Sequence, residues 1–341
     1  MPHDRPVVVT MGDPAGIGGE ITLMTWRDHR SDLPPFYVLD DPDRLTRLAG
    51  RTGICCPITE IASAADAAAT SGSALPVLRL SRPVSALPGD DSTADGSMVI
   101  ESIDRAIDAA MDGDAAGMAT NPIQKSRLYA AGFTAPGHTE YLGERAGLST
   151  PPVMLLAGPS VKVVPVTIHL SLKDAIAALT TDEIVRTLKI TIDSLKSDFG
   201  ISRPRIAVSG LNPHAGERGH MGREEIDIIA PAIERLSDAE ADISGPLAGD
   251  TMFHEAARAT YDVAVCMYHD QALIPMKTLD FDNGVNVSVG LPFVRTSPDH
   301  GTAYNIAGTA TANPTSLVSA IRVAADIAAC RKKISGDTGL A

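Results

Sequence analysis

The sequence predicts an α/β protein with a largely parallel sheet, organised as two domains. Three observations lead there. Short β-branched runs alternate with stretches of helical periodicity, as strand–helix–strand units require. Several of these runs, such as 153–158 (VMLLAG) and 262–268 (DVAVCMY), are apolar almost throughout, as strands covered on both faces by helices are. The chain has 341 residues, long enough for two domains of ordinary size around their own cores.

In chain order, 6–10 (PVVVT) is the first strand. It runs into 10–20 (TMGDPAGIGGE), where Gly12, Gly16, Gly18 and Gly19 permit positive φ and close backbone approach before a helix begins. The pattern is not G-x-G-x-x-G, so no Rossmann fingerprint is read there. The second strand is 36–40 (FYVLD). The stretch 62–97 is rich in Ala, Ser, Asp, Gly and Pro with little periodicity, and 85–97 (SALPGDDSTADGS) reads as an exposed loop. A helix follows over 99–112, then strands at 153–158 and 161–168 (VKVVPVTI). A helical stretch in two pieces covers 172–197. Strand 205–211 (RIAVSGL) precedes helix 223–236, strand 262–268 comes next, and helix 315–333 lies near the end.

Apolar residues are 44% and charged residues 21% of the chain, ordinary for a soluble globular protein. Aromatics are only 4%, so the cores must rest on Val, Ile, Leu and Ala. A net charge of −13 argues against non-specific binding to nucleic acid or an anionic membrane, while a local cluster of cations still admits a small anionic substrate. Cys55, Cys56, Cys266 and Cys330 form no C-x-x-C pair and no even framework, which points to a reducing compartment. The N-terminal apolar run is too short for a signal peptide, and no stretch approaches ~18 apolar residues. The expected location is the cytoplasm.

Candidate functional residues gather at strand ends. In 137–147 (GHTEYLGERAG), Pro136-Gly137 marks a turn, Thr139 is placed to cap a helix from Glu140, and His138 falls beside that helix N-terminus, where anions bind well. His169 closes one strand, His214 follows a second and His269 a third. Ligands of parallel α/β sheets bind at the carboxyl ends of strands, so three imidazoles at one edge suit a divalent ion with an open position. Their spacing matches no local metal signature, so a hydrogen-bonded structural role stays open for each. In 211–226 a glycine-rich turn lets His214 point inward, with Glu224 and Glu225 at a helix start and His220 a loop residue. Asp270 and Gln271 follow His269 directly. Lys277, Asn286 and Arg295 lie near Gly or Pro turns, and two cations with an amide suit a carboxylate or phosphate.

Taken together, TMGDPAGIGGE, PGHTEYL, GLNPHAGERGHMGREEID, MYHDQALIPMK and GVNVSVGLPFVRTSPDHGTAYNIAG resemble the 4-hydroxythreonine-4-phosphate dehydrogenase family over nearly the whole chain. DHGTAYNIAGTATANPTS and GDPAGIGGE are also similar to the wider isocitrate and isopropylmalate dehydrogenase superfamily. Gly19 and Asn121 depart from the family pattern, standing where Pro and a small residue are common.

The resemblance implies two α/β/α domains with a cleft between them: 1–135 plus 302–341, and 136–301 carrying the metal ligands and dimer interface. It implies NAD or NADP and a divalent ion (Zn, Mg, Mn or Co), with His169, His214 and His269 as ligands. One imidazole would come from a partner subunit, hence a homodimer with shared sites. His138, Thr139, Lys277, Asn286 and Arg295 match substrate-binding positions. Asp250 matches a carboxylate near the metal and, with Lys277, His138 and Asp270, is a candidate for proton handling. Gly290, His300, Gly301, Thr302, Ala303 and Asn313 are the implied cofactor-binding residues. The implied reaction is oxidation of 4-phosphooxy-L-threonine at C3, then decarboxylation to 3-amino-2-oxopropyl phosphate, in pyridoxal phosphate biosynthesis. The alternatives are a sister dehydrogenase of 4-phosphothreonate or 4-phosphoerythronate, a three-histidine zinc hydrolase, and a phosphoryl or acyl transferase of the same fold.

Overall fold

The structure, a computed structural model, describes residues 5–90, 94–135 and 137–337. The chain forms two compact units, Met1–Pro151 with Leu291–Lys332 and Pro152–Gly290 with Lys333–Ala341. The first crossing thus falls at 151 and the second at 291, where the sequence suggests 135 and 302.

The first unit opens with β1 (Val7–Thr10), the glycine-rich turn and α1 (Gly18–His29). Then come β2 (Phe36–Asp40) and α2 (Pro42–Thr52). Asp41 caps α2 by accepting from the Asp43 N–H, and Pro42 occupies the first turn, where its missing N–H costs nothing. β3 (Ile58–Glu60), α3 (Ala67–Thr70), β4 (Leu75–Arg79), α4 (Gly96–Met111), β5 (Gly117–Ala119), α5 (Lys125–Ala130) and α6 (His138–Arg145) follow. Helix α4 buries Met98, Val99, Ile103, Ala106 and Ile107 with Val8, Tyr37, Leu39 and Met118. Leu142 of α6 joins the same core, which is why 136–151 belongs to this unit.

One buried ion pair braces the glycine-rich turn. Arg44 donates to Asp40 at 2.7 Å and to the Pro14 carbonyl at 2.8 Å. Burial pushes the Asp40 carboxyl up to about 6, against the pull of Arg44.

The second unit starts with an antiparallel pair, β6 (Val153–Ala157) and β7 (Lys162–Thr167). Buried Asp280 closes their turn by accepting from the Ser160 and Val161 N–H groups at 2.8 and 3.2 Å. Next are α7 (Leu172–Ala178) and α8 (Thr181–Ser197), capped by the Ser171 and Thr180 hydroxyls. β8 (Arg205–Ser209) leads through a left-handed turn and a π-helical turn (Glu225–Ile229) into α9 (Ala230–Glu234). β9 (Asp242–Leu247), α10 (Glu255–Arg258), β10 (Val263–Tyr268), α11 (His269–Leu279) and β11 (Val285–Val289) complete it. Its strands run in the order β11-β6-β7-β10-β8-β9. From β7 onward the pairs are parallel. Val163, Ala207, Ala264, Cys266 and Met276 form its core.

β12 (Arg295–Pro298) returns the chain to the first unit, whose order β3-β4-β2-β1-β5-β12 is parallel throughout. Helix α12 (Thr315–Asp337) is the last element described.

The loop read over 85–97 is more ordered than its composition implies. Buried Asp95 accepts from the Ser85 and Ala86 N–H groups at 3.0 and 2.7 Å, and α4 begins inside the stretch at Gly96. Residues 91–93 of that loop, and Pro136 of the expected turn, lie outside the described residues. Thr139 is not a cap: α6 starts two residues earlier than expected, with Gly137 at the cap position and no side-chain cap bond.

Candidate active site

In the second unit β7, β10 and β8 lie side by side and parallel, so their carboxyl ends share an edge. His169 stands two residues past β7 in the left-handed region, φ 52°, and His269 opens α11 directly after β10. Their rings meet, with centroids 5.8 Å apart at 40°. His269 Nδ1 lies 2.7 Å from Asp270 Oδ1. A carboxylate only accepts, so Nδ1 is the donor, and the neutral ring held this way presents the Nε2 lone pair that a metal needs. Two imidazoles bound to one ion through ~2.1 Å bonds hold their ring centres roughly 5 to 6 Å apart, so this pair fits a divalent cation.

His214 is held differently. It begins a run of left-handed residues, His214 to Arg218, with φ between 42° and 76°. The run is anchored from behind by Glu225, which is buried. Glu225 Oε1 accepts from the Leu211 and Asn212 N–H groups at 2.8 and 2.7 Å, and Oε2 from Asn212 Nδ2 at 3.0 Å. The sequence placed Glu225 as a helix-start charge; the structure uses it as a latch on the turn before. Among the described residues, no group of three His, Cys, Asp or Glu side chains gathers around a single point. The chain therefore pairs His169 with His269 and leaves His214 outside that pair.

The other expected residues of this unit are scattered around it. Asp250 is exposed on a short turn after β9. Lys277, on α11, is half-buried with Nζ 5.2 Å from the Phe281 ring centroid. Asn286, on β11, has a buried Oδ1 without a hydrogen-bond partner. Gly290 has φ 88°, and a Cβ there would come within 2.9 Å of Ile190, so packing alone demands glycine.

In the first unit, β12 brings Arg295 to β5 and α6. Its Nη2 donates to Thr120 Oγ1 at 2.8 Å and lies 3.3 Å from His138 Nδ1. A guanidinium only donates, so His138 Nδ1 accepts and the imidazole proton sits on Nε2. That Nε2 is buried with no partner. Burial, then the charges of Arg295 and Lys125, push His138 well below its ordinary range, and burial brings Arg295 down to about 10. A desolvated cation beside an unpaired imidazole N–H is a site that an anion would relieve. Thr139 is half-buried next to it on α6.

The glycine-rich turn clamps the loop after β12. The Ile17 N–H donates to the Thr302 carbonyl at 3.0 Å, and a Cβ on Gly16 would come within 2.9 Å of that oxygen. Buried Asp13 accepts from Tyr304 Oη at 2.7 Å and pairs with Arg127 at 3.3 Å. Buried Glu20 accepts from the Gly308 and Ala310 N–H groups. Within this loop Gly301 is exposed, Ala303 has φ 45°, and His300 Nε2 is buried without a partner. Asn313 Oδ1 accepts from the Thr315 N–H at 3.0 Å, an Asx turn leading into α12. Sequence reasoning missed Asp13 and Glu20. Their only signal was a carboxylate inside a glycine-rich turn. Asn121, one of the two departures from the family pattern, is buried and donates to the Thr10 carbonyl and Thr22 Oγ1, a bracket for β1 and α1.

A profile of the family described as Pyridoxal phosphate biosynthetic protein PdxA matches residues 32–324. The chain belongs to that family. Among PdxA relatives, it is 51% identical over 339 residues to the 4-hydroxythreonine-4-phosphate dehydrogenase of Bradyrhizobium diazoefficiens, covering 96% of this chain and 98% of that one. It is 46% identical over 332 residues to the protein of that name from Caulobacter vibrioides, covering 96% and 98%. The crystal structure of 4-hydroxythreonine-4-phosphate dehydrogenase from Klebsiella pneumoniae superimposes with a TM-score of 0.85 at 36% identity, over 95% of this chain and 98% of that one. A terephthalate 1,2-cis-dihydrodiol dehydrogenase from Burkholderia xenovorans LB400 follows at 0.64 and 28%, over 94% and 98%. The α/β fold read from the sequence is thus the fold of PdxA structures.

Proposed function

We propose that the protein oxidises 4-hydroxythreonine 4-phosphate at C3, with NAD or NADP as acceptor, and that the resulting β-keto acid loses CO2 to give 3-amino-2-oxopropyl phosphate. The near full-length identity to proteins named for that activity supports the substrate. The observation that carries the chemistry is the His169–His269 pair with Asp270 fixing the tautomer. When bound, a divalent ion supplies Lewis acidity at the C3 oxygen and the dinucleotide a place for the hydride. The residues of the chain do the rest. Arg295 and the His138 Nε2–H grip an anionic end of the substrate, with Thr139 beside them. Lys277 and Asn286 supply a second cation and an amide for the substrate's other polar groups. The Asp13 and Glu20 clamp holds the 300–313 loop in shape for the dinucleotide.

The reading extends to a cytoplasmic homodimer in which a second copy completes the histidine set. Exposed apolar residues follow two of the histidines in the chain: Leu170 and Leu172 close behind His169, and Met221 and Ile226 farther on from His214. A partner surface there would bury them. No helix among the described residues is long and apolar enough to cross a membrane.

The test is nicotinamide reduction by the purified protein with 4-hydroxythreonine 4-phosphate, run beside 4-phosphothreonate and 4-phosphoerythronate, with and without chelator. Turnover should be highest on the first substrate, vanish with chelator and return with Zn, Mg, Mn or Co. Preference for a sugar acid would reassign the substrate, and reduction unaffected by chelator would remove the ion.

A further inference from the structure

We propose that Gln271 sets the geometry of the metal centre by tying together the three strand ends that carry His169, His214 and His269. It is a positioning residue, and the proposal rests on the reading of those histidines as ligands.

The main-chain ladder between β10 and β8 ends at Val265 and Val208, and that between β10 and β7 at Tyr268 and Thr167. All three histidines lie beyond these last pairs, where no ladder holds one strand to the next. A short chain of hydrogen bonds takes over. Thr167 Oγ1 donates to the Met267 carbonyl at 2.8 Å. The N–H of Met267 donates to Gln271 Oε1 at 2.7 Å. Gln271 Nε2 then donates to the Gly210 carbonyl at 2.8 Å. Thr167 is two residues before His169, Met267 two before His269, and Gly210 four before His214. The relay therefore crosses all three strands a few residues before each histidine in the chain.

Only an amide can close this relay. At Met267 the side chain must accept, and at Gly210 it must donate. Glutamate accepts at both oxygens and would face the Gly210 carbonyl with a negative charge. Methionine has similar length and can serve neither partner. Gln271 sits in the first turn of α11, so its side chain reaches back over the helix start, as a capping-box glutamine does. The neighbouring chain is fitted to it: a Cβ on Gly249 would come within 3.3 Å of both Gln271 Nε2 and Ser209 Oγ.

Outer partners that orient metal ligands typically contribute about ten- to a hundredfold to metal affinity. The test uses the full chain stripped of metal and titrated with Co2+ against a competing chelator, for wild type, His269→Ala, Gln271→Met and Gln271→Glu. Gln271→Met should raise the Co2+ dissociation constant roughly ten- to a hundredfold and alter the visible Co2+ spectrum. The metal-free variant should keep its thermal midpoint within about 4 °C of wild type, which a general loss of structure would not allow. Co2+ binding within about twofold of wild type overturns the positioning role. Should the methionine variant fail to fold, Gln271→Glu is judged by the same two readouts, since it keeps the Met267 bond and loses only the donor to Gly210. Failure of the underlying reading looks different: wild type would bind no Co2+, or His269→Ala would bind it as well as wild type, and the proposal would fall with it.

Discussion

Replacing Glu225 with alanine should unlatch the turn that carries His214, and the size of the effect follows from two opposing quantities. His214, Ala215, Glu217 and Arg218 are non-glycine residues held at φ 52°, 50°, 42° and 57°. Left-handed backbone costs an L-residue roughly 1–2 kcal/mol, so the turn stores on the order of 4–8 kcal/mol. Against it stand the three bonds that the buried Glu225 carboxylate accepts, at 2.7 to 3.0 Å, from half-buried Leu211 and Asn212. Bonds to a charged acceptor contribute roughly 1.5–3 kcal/mol each, about 5–9 kcal/mol together. The two sums nearly balance, so the native turn persists only while the carboxylate is there. Without it the strain relaxes locally and returns part of the loss. Glu225→Ala should therefore cost about 3–5 kcal/mol. Glu225→Gln should cost less, about 1–3 kcal/mol, because an amide still accepts at one oxygen but turns a donor toward Asn212 Nδ2. Urea denaturation measures the loss, and amide hydrogen exchange shows where it falls. Residues 211–222 should lose protection well before the core strands do. A Glu225→Ala protein less than about 1 kcal/mol weaker than wild type, with exchange unchanged over 211–222, would refute the balance.

Two further expectations concern buried ionisable groups. Because the folded protein holds His138 well below its ordinary range, acidification through about pH 6.5 protonates the unfolded chain but not the folded one. Wild type should then lose stability by up to ~1.4 kcal/mol per pH unit below that point and gain nothing above it. His138→Asn should lack this slope, and urea curves for the two proteins that stay parallel from pH 8 to 5 would contradict it. Arg44→Met leaves Asp40 buried without its partner and should cost about 3–5 kcal/mol at neutral pH. Arg44 helps to hold the buried Asp40 carboxyl down to about 6, so without it the folded variant takes up that proton above this value, and its deficit should shrink as pH falls from neutral towards 6. A deficit that does not shrink by pH 5 in thermal or urea melts would show that the lost packing of Arg44 dominates.

The elements legible in the sequence were those whose composition matches their burial. The apolar runs at β1, β2, β6, β7, β8 and β10 announced themselves because buried parallel strands need no polar alternation. The remaining strands are specified by their neighbours. β5 is three residues long, β4 contains Pro76, and β9 contains Gly245 and Pro246 and is largely exposed. Pairing with an established strand makes these segments extended, and no local preference does. The histidine positions were legible for the same reason as the strands they follow. The Arg295–His138 contact joins residues 157 apart and exists only once β12 has paired with β5.

The acidic residues show most clearly where sequence reasoning stops. A net charge of −13 reads as a solvated negative surface. Yet Asp13, Glu20, Asp41, Asp95, Glu225 and Asp280 are all buried. Each accepts main-chain N–H groups from a loop at or near the end of a strand or the start of a helix. Such loops cannot satisfy their own donors, and an ionised carboxylate with two oxygens meets several at once in a space too small for water. The charge that looks like surface is therefore partly internal scaffolding, and Asp13, Glu20 and Glu225 place it at the turns that carry candidate functional residues. A substitution such as Glu225→Ala thus acts on the site through the backbone, without touching a ligand or substrate. Charge counting would pass such positions as neutral surface changes, whereas burial identifies them as the positions that fix the shape of the site.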